Sequence, residues 1–98
     1  MGLPLVIKMN ALDATPVLAP GLRVSVHNDG AVILDIDGGQ LYSTNNVGAR
    51  ILTLLGEKTK INDIAERIKV EFDAPIEQVR ADLDRFLESL KSRDLLRL

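Results

Sequence analysis

The hydrophobic pattern of this chain changes period once, near residue 45, and that single switch limits the folds open to it. Up to Thr44, short apolar runs are separated by tight-turn residues; beyond it, apolar residues recur at helical spacing to the C-terminus. Strands followed by helices, rather than alternating with them, predict an α+β arrangement with an antiparallel sheet. With 98 residues, 46% of them hydrophobic, the chain suits one modest core.

In the strand half, Val24 and Val26 share a face, Asn28-Asp29-Gly30 is a strong turn signal, and Ala31 to Ile36 is an apolar run: together a β-hairpin. Asp37-Gly38-Gly39 predicts a second turn into a short strand at Gln40 to Ser43, an edge of a three-stranded meander. In the helical half, Thr44, Asn45 and Asn46 are cap residues for a first helix with Val47, Ile51, Leu54 and Leu55 inward, stopped by Gly56. Thr59 is the expected cap of a second helix, with Ile61, Ile64, Ala65, Ile68 and Phe72 as its stripe. Pro75 opens the third and longest, whose stripe Ile76, Val79, Leu83, Phe86, Leu87 and Leu90 runs to about Arg93. Leu95, Leu96 and Leu98 are expected to fold back onto the core. Residues 1–21, with Pro4, Pro16, Pro20 and Gly21, read as an extended arm whose apolar residues partly pack, and residues 22–98 as the domain proper.

Composition removes several classes of function. No cysteine and one histidine, His27, leave no disulfide, thiolate nucleophile or ordinary zinc site. The longest apolar run, Ala31 to Leu34, falls far short of the roughly 20 residues that span a bilayer. With no secretory pattern at the N-terminus, a cytoplasmic protein without membrane partners is expected. Asp82, Asp84 and Glu88 lie among Arg80, Arg85 and Lys91, a solvated ion-paired face rather than an acid/base pair. His27 flanks a turn, Gly38-Gly39 lacks a phosphate-loop pattern, and Ser43 lacks nucleophile-elbow glycines. No catalytic residue, metal or cofactor is expected. A winged-helix DNA-binding regulator is the alternative for such an element order. The third helix and its flank nevertheless balance Glu77, Asp82, Asp84 and Glu88 against Arg80, Arg85, Lys91 and Arg93, without the basic excess that phosphate binding uses.

Several segments, taken in order, resemble the PqqD family (coenzyme PQQ synthesis protein D-like). They are Pro16-Val-Leu-Ala-Pro-Gly-Leu-Arg-Val24, Gly30-Ala-Val-Ile-Leu-Asp-Ile-Asp-Gly-Gly-Gln-Leu-Tyr42 and Asn46-Val-Gly-Ala-Arg-Ile51, then Thr59-Lys-Ile-Asn-Asp-Ile-Ala65, Phe72-Asp-Ala-Pro75, Asp82-Leu-Asp-Arg-Phe-Leu87 and Leu95-Leu96. The resemblance implies a winged-helix-like fold of three strands and three helices that recognises, without catalysis, the leader of a ribosomally synthesised precursor peptide. It implies a second partner, a modifying enzyme such as a radical-SAM protein or another tailoring enzyme. The leader would add a strand to the third strand, at Gln40, Leu41, Tyr42, Ser43 and Thr44, beside third-helix residues Val79, Arg80, Leu83 and Leu87. Homodimerisation through the same edge is the competing use of it. Members devoted to the quinone pathway typically carry an apolar run ending in Pro-Glu after the second strand, where this chain has Asp35-Ile36-Asp37-Gly38-Gly39. Another peptide-tailoring system is therefore expected.

Overall fold

The computed structural model describes residues 14–97. The chain begins with a two-residue strand β1 (Val17–Leu18), then β2 (Leu22–His27), β3 (Gly30–Asp35) and β4 (Gln40–Thr44). Three helices follow, α1 (Asn46–Gly56), α2 (Ile61–Phe72) and α3 (Ile76–Ser92), and β5 (Leu96–Arg97) closes the order. Strands β2, β3 and β4 form an antiparallel sheet in that spatial order, so β2 and β4 are its edges. The α+β class and the sheet-then-helices order follow the periodicity.

The β2–β3 connection is the two-residue Asn28-Asp29 loop, with His27 opposite Gly30. Gly30 is a glycine by necessity. Its φ is +156°, and a Cβ there would stand 2.0 Å from the Thr44 carbonyl oxygen. The hairpin is thus held close against the end of β4.

One face of the sheet carries the core. Ala31 and Ile33 are buried beneath Leu52, Leu54 and Leu55 of α1, Ile64, Ala65 and Ile68 of α2, and Leu83, Leu87 and Leu90 of α3, all one cluster. Each buried leucine or isoleucine of this cluster contributes about 1.5–3 kcal/mol by leaving water. The opposite sheet face, with Arg23, Ser25, Val32, Leu34 and Leu41, is not covered by any described element.

The helix ends are fixed by specific groups. Asn45 caps α1, its side-chain oxygen accepting from the Gly48 N–H at 2.9 Å. Thr59, expected as the cap of α2, lies one residue too early: Lys60 occupies that position and makes no side-chain cap bond. The Ile61 N–H donates instead to the Ala14 carbonyl at 3.1 Å, so the N-terminal segment satisfies a helix group that a cap would otherwise take. Asp73 ends α2 in the left-handed conformation (φ 49°), and Pro75 precedes α3 as its N-cap rather than lying in its first turn. Phe72, read as part of the α2 stripe, is 39% exposed at the last turn of that helix.

Part of the expected arm is strand-paired. Val17 lies opposite Arg97 and Leu18 opposite Leu96, and Ala19 N–H donates to the Leu95 carbonyl at 2.9 Å. Pro16, Ala19, Leu95 and Leu96 are buried, as the apolar content of both segments requires. Leu98 and residues 1–13, including Pro4, lie outside the described residues.

Candidate functional site

Among the described residues β4 pairs only with β3, and the chemistry of its other edge follows from the register. Ile36 donates its N–H to the Gly21 carbonyl at 3.2 Å, which makes that level of the β2–β3 ladder a hydrogen-bonded pair. Bonded pairs alternate in an antiparallel ladder, so Arg23/Leu34, Ser25/Val32 and His27/Gly30 are the next ones. The backbone groups of Ala31, Ile33 and Asp35 therefore turn the other way, toward Thr44, Tyr42 and Gln40. By the same alternation, Leu41 and Ser43 aim their N–H and C=O groups outward. No hydrogen bond from a helix or loop among the described residues takes them up. The side chains divide accordingly: Tyr42 and Thr44 share the helix-covered face with Ile33 and Ala31, while Leu41 (66% exposed) and Ser43 point to the bare one.

Beside this edge runs a groove of about 490 Å³. Residues 41–45 and Ile33 form one wall, and the C-terminal half of α3 forms the other through Phe86, Ser89, Leu90 and its C-cap residue Arg93, with Leu95 at the base. Phe86, Ser89, Leu90 and Arg93 follow the i, i+3, i+4, i+7 spacing of one helix stripe. Gly48, buried at the start of α1, lets the walls come together at one end: a Cβ there would meet Thr44 Cβ at 2.7 Å and Phe86 Cε1 at 3.0 Å. At the other end the Arg93 guanidinium stands 5.3 Å from the Tyr42 ring centroid, a cation–π contact. Arg93 also donates to the Ser89 carbonyl (3.2 Å) and to its hydroxyl. Among the described residues it is the single charged one lining the groove.

Of the residues expected to bind a peptide, the structure brings Leu41, Tyr42, Ser43 and Thr44 to the groove, with Gln40 at the start of the same strand. It does not bring the four helix residues there. Val79 and Leu83 are 4% and 2% exposed in the core and line a separate crevice of about 100 Å³ near Phe72 and Val47. Leu87 is buried at 9% exposure, and Arg80 donates to Asn62 Oδ1 on α2 at 3.2 Å. Ser89 and Arg93 lie outside the apolar stripe of the third helix, whose spacing places Phe86 and Leu90 toward the core. The i, i+3, i+4, i+7 spacing was the available signal, but it does not say which part of α3 meets β4.

Other polar groups among the described residues lie on the surface. Asp82 pairs with Arg85 on the α3 surface, and His27 Nε2 lies 3.2 Å from Ser25 Oγ, both exposed. Among the described residues, no group of three or more His, Asp or Glu side chains is placed to hold a metal ion, and no helix is long and apolar enough to cross a membrane. Away from the groove, Arg50 on α1 and Glu71 on α2 form a two-point ion pair at 2.7 and 2.9 Å. Its hydrogen bonds hold the Glu71 carboxyl below the ordinary carboxylate value and raise the Arg50 guanidinium further.

Comparison with known proteins gives a consistent result. No curated protein sequence matches the chain. Among solved structures, TbiB1 in complex with the TbiA(beta) leader peptide is similar, with a TM-score of 0.77 and 27% identity over 83% of this chain and 94% of that one. A lasso peptide synthetase B1 complexed with the leader peptide has the same fold, with a TM-score of 0.77 and 24% identity over 87% of this chain and all of that one (100%). The family model described as Coenzyme PQQ synthesis protein D (PqqD) matches residues 30–96, from the start of β3 through α3 into β5. That span holds both walls of the groove and the greater part of the chain, and the chain belongs to the PqqD family.

Proposed function

We propose that this domain binds the leader of a ribosomally synthesised precursor peptide along β4 and presents it, without chemistry of its own, to a modifying enzyme. The observation that carries this reading is the pairing of an open strand edge with a groove on its helix side. Leu41 and Ser43 supply outward backbone groups, which give affinity independent of sequence. Tyr42 and Thr44 face the groove, where alternate leader side chains are read. Two similar solved structures are complexes with leader peptides, which supports the same use here. The helix wall of the site is Phe86, Ser89, Leu90 and Arg93 in place of Val79, Arg80, Leu83 and Leu87.

The enzyme served is a peptide-tailoring protein, of radical-SAM or another type, working in the cytoplasm where the precursor is made. A second copy of this chain is the competing occupant of the β4 edge. The test is fluorescence anisotropy with labelled peptides from the N-terminal part of a precursor encoded beside this gene, alongside sedimentation velocity of the protein alone. Saturable binding by a monomeric protein, with the peptide mass unchanged after incubation, is the expected result. A dimer that persists at saturating peptide, or no binding to any part of the precursor, would overturn it.

A further inference from the structure

The two ends of the groove differ in chemistry, and the difference bears on what the leader must carry. A strand added to β4 places alternate side chains on the groove face, one opposite Tyr42 and one opposite Thr44, two residues apart in the leader. The position opposite Thr44 meets Phe86, since Thr44 and Phe86 converge on Gly48. The position opposite Tyr42 meets the Arg93 guanidinium stacked on that ring. The Arg93 contacts are a carbonyl, a hydroxyl and a ring face, none of which carries a compensating full charge. At the C-cap of α3 its charge is held near the helix's negative end, and among the described residues the surrounding groove supplies no carboxylate.

Resting on the leader-binding reading above, we infer that Arg93 is a specificity-determining residue that selects an acidic side chain in the bound peptide, two positions from an apolar side chain that packs on Phe86. The order of the two reports the strand direction. In an antiparallel addition the leader reads apolar, any residue, acidic; in a parallel addition it reads acidic, any residue, apolar. Arg80, engaged with Asn62 on α2, takes no part.

A phage-displayed library of random 15-residue peptides, panned on the intact protein, tests this without knowledge of the natural leader. Wild-type protein enriches peptides with an acidic and an apolar residue at i and i+2 in one fixed order. Arg93→Gln keeps the apolar preference and loses the acidic one, weakening individual acidic peptides roughly two- to fivefold, the scale of an exposed ion pair. Arg93→Lys retains part of the preference, and Arg93→Glu selects Lys or Arg at that position. An acidic preference equal in wild type and Arg93→Gln, or none in wild-type peptides that need the β4 edge, overturns the role of Arg93 and leaves the binding mode standing. Failure to enrich any peptide, or enriched peptides that bind Leu41→Pro as tightly as wild type, overturns the binding mode and this inference with it.

Discussion

Proline at neighbouring positions of β4 has opposite consequences if the ladder alternates as described. Leu41→Pro removes an N–H that has no partner among the described residues and replaces it with ring carbons projecting toward an incoming strand. Leu41 is 66% exposed and contributes little to the core, so the fold is nearly unaffected. Binding loses one backbone hydrogen bond and meets a steric block, together about 1–2 kcal/mol, or roughly five- to thirtyfold in Kd. Tyr42→Pro deletes instead an N–H directed at β3 opposite Ile33, a residue 1% exposed, and removes the ring beneath Arg93. Loss of an internal ladder bond and a half-buried aromatic is expected to cost about 3 kcal/mol, a large share of the roughly 5–15 kcal/mol that holds a small domain. Thermal melts by circular dichroism read the stability, and anisotropy with a labelled leader peptide reads the binding. The expected pattern is a near-normal melt with weakened binding for Leu41→Pro and a strongly lowered melt for Tyr42→Pro. The reverse pattern would refute the assigned alternation, and normal binding by a folded Leu41→Pro would refute strand addition at β4.

Other consequences are open to direct measurement. Gly30→Ala drives a Cβ toward the Thr44 carbonyl, 2.0 Å away, at a φ of +156°, and should cost about 1–3 kcal/mol, lowering Tm by about 4–8 °C for each kcal/mol. Because the Glu71 carboxyl is held below its ordinary value by Arg50, the pair's contribution is full at neutral pH and is lost as pH falls through the lowered pKa. Solvent screens this partly exposed pair, so Glu71→Gln should cost no more than about 0.5 kcal/mol at pH 7 in urea unfolding, shrinking toward zero in acid. Duplex DNA should show no salt-dependent binding in the micromolar range, because the third helix and its flank carry balanced charge; a shift that weakens steeply with salt would restore the regulator reading.

What the sequence made legible was chiefly local. The two-residue Asn28-Asp29 loop sets the β2–β3 register, and once that register is fixed, the pleat decides which β4 residues face outward. Helix boundaries near Asn45 and Pro75 are visible because a cap residue and a proline each leave a signature. Thr59 misleads because the group it would have capped bonds to the Ala14 carbonyl, a partner distant in sequence. Phe72 continues the α2 apolar spacing and is exposed because the helix ends there.

The helix wall of the groove was illegible for a related reason. An amphipathic stripe identifies an inward face but not the neighbour each inward residue touches, and α3 is much longer than β4. Its N-terminal half, with Val79 and Leu83, reaches the crevice bordered by α1 and α2, while its C-terminal half borders β4. The return of Leu95 and Leu96 to β1 secures that end. This pairing joins residues near opposite ends of the chain and leaves no periodic trace in either segment.

The most direct test of the central claim is a titration of ¹⁵N-labelled protein with the leader peptide, followed by amide chemical shifts. Leader binding in the β4 groove predicts the largest changes at Leu41 to Asn45 and at Phe86, Ser89, Leu90 and Arg93, with Val79, Arg80 and Leu83 little affected. Changes centred instead on the Val79–Leu83 crevice, on α2 or on the Asn28-Asp29 turn would contradict it.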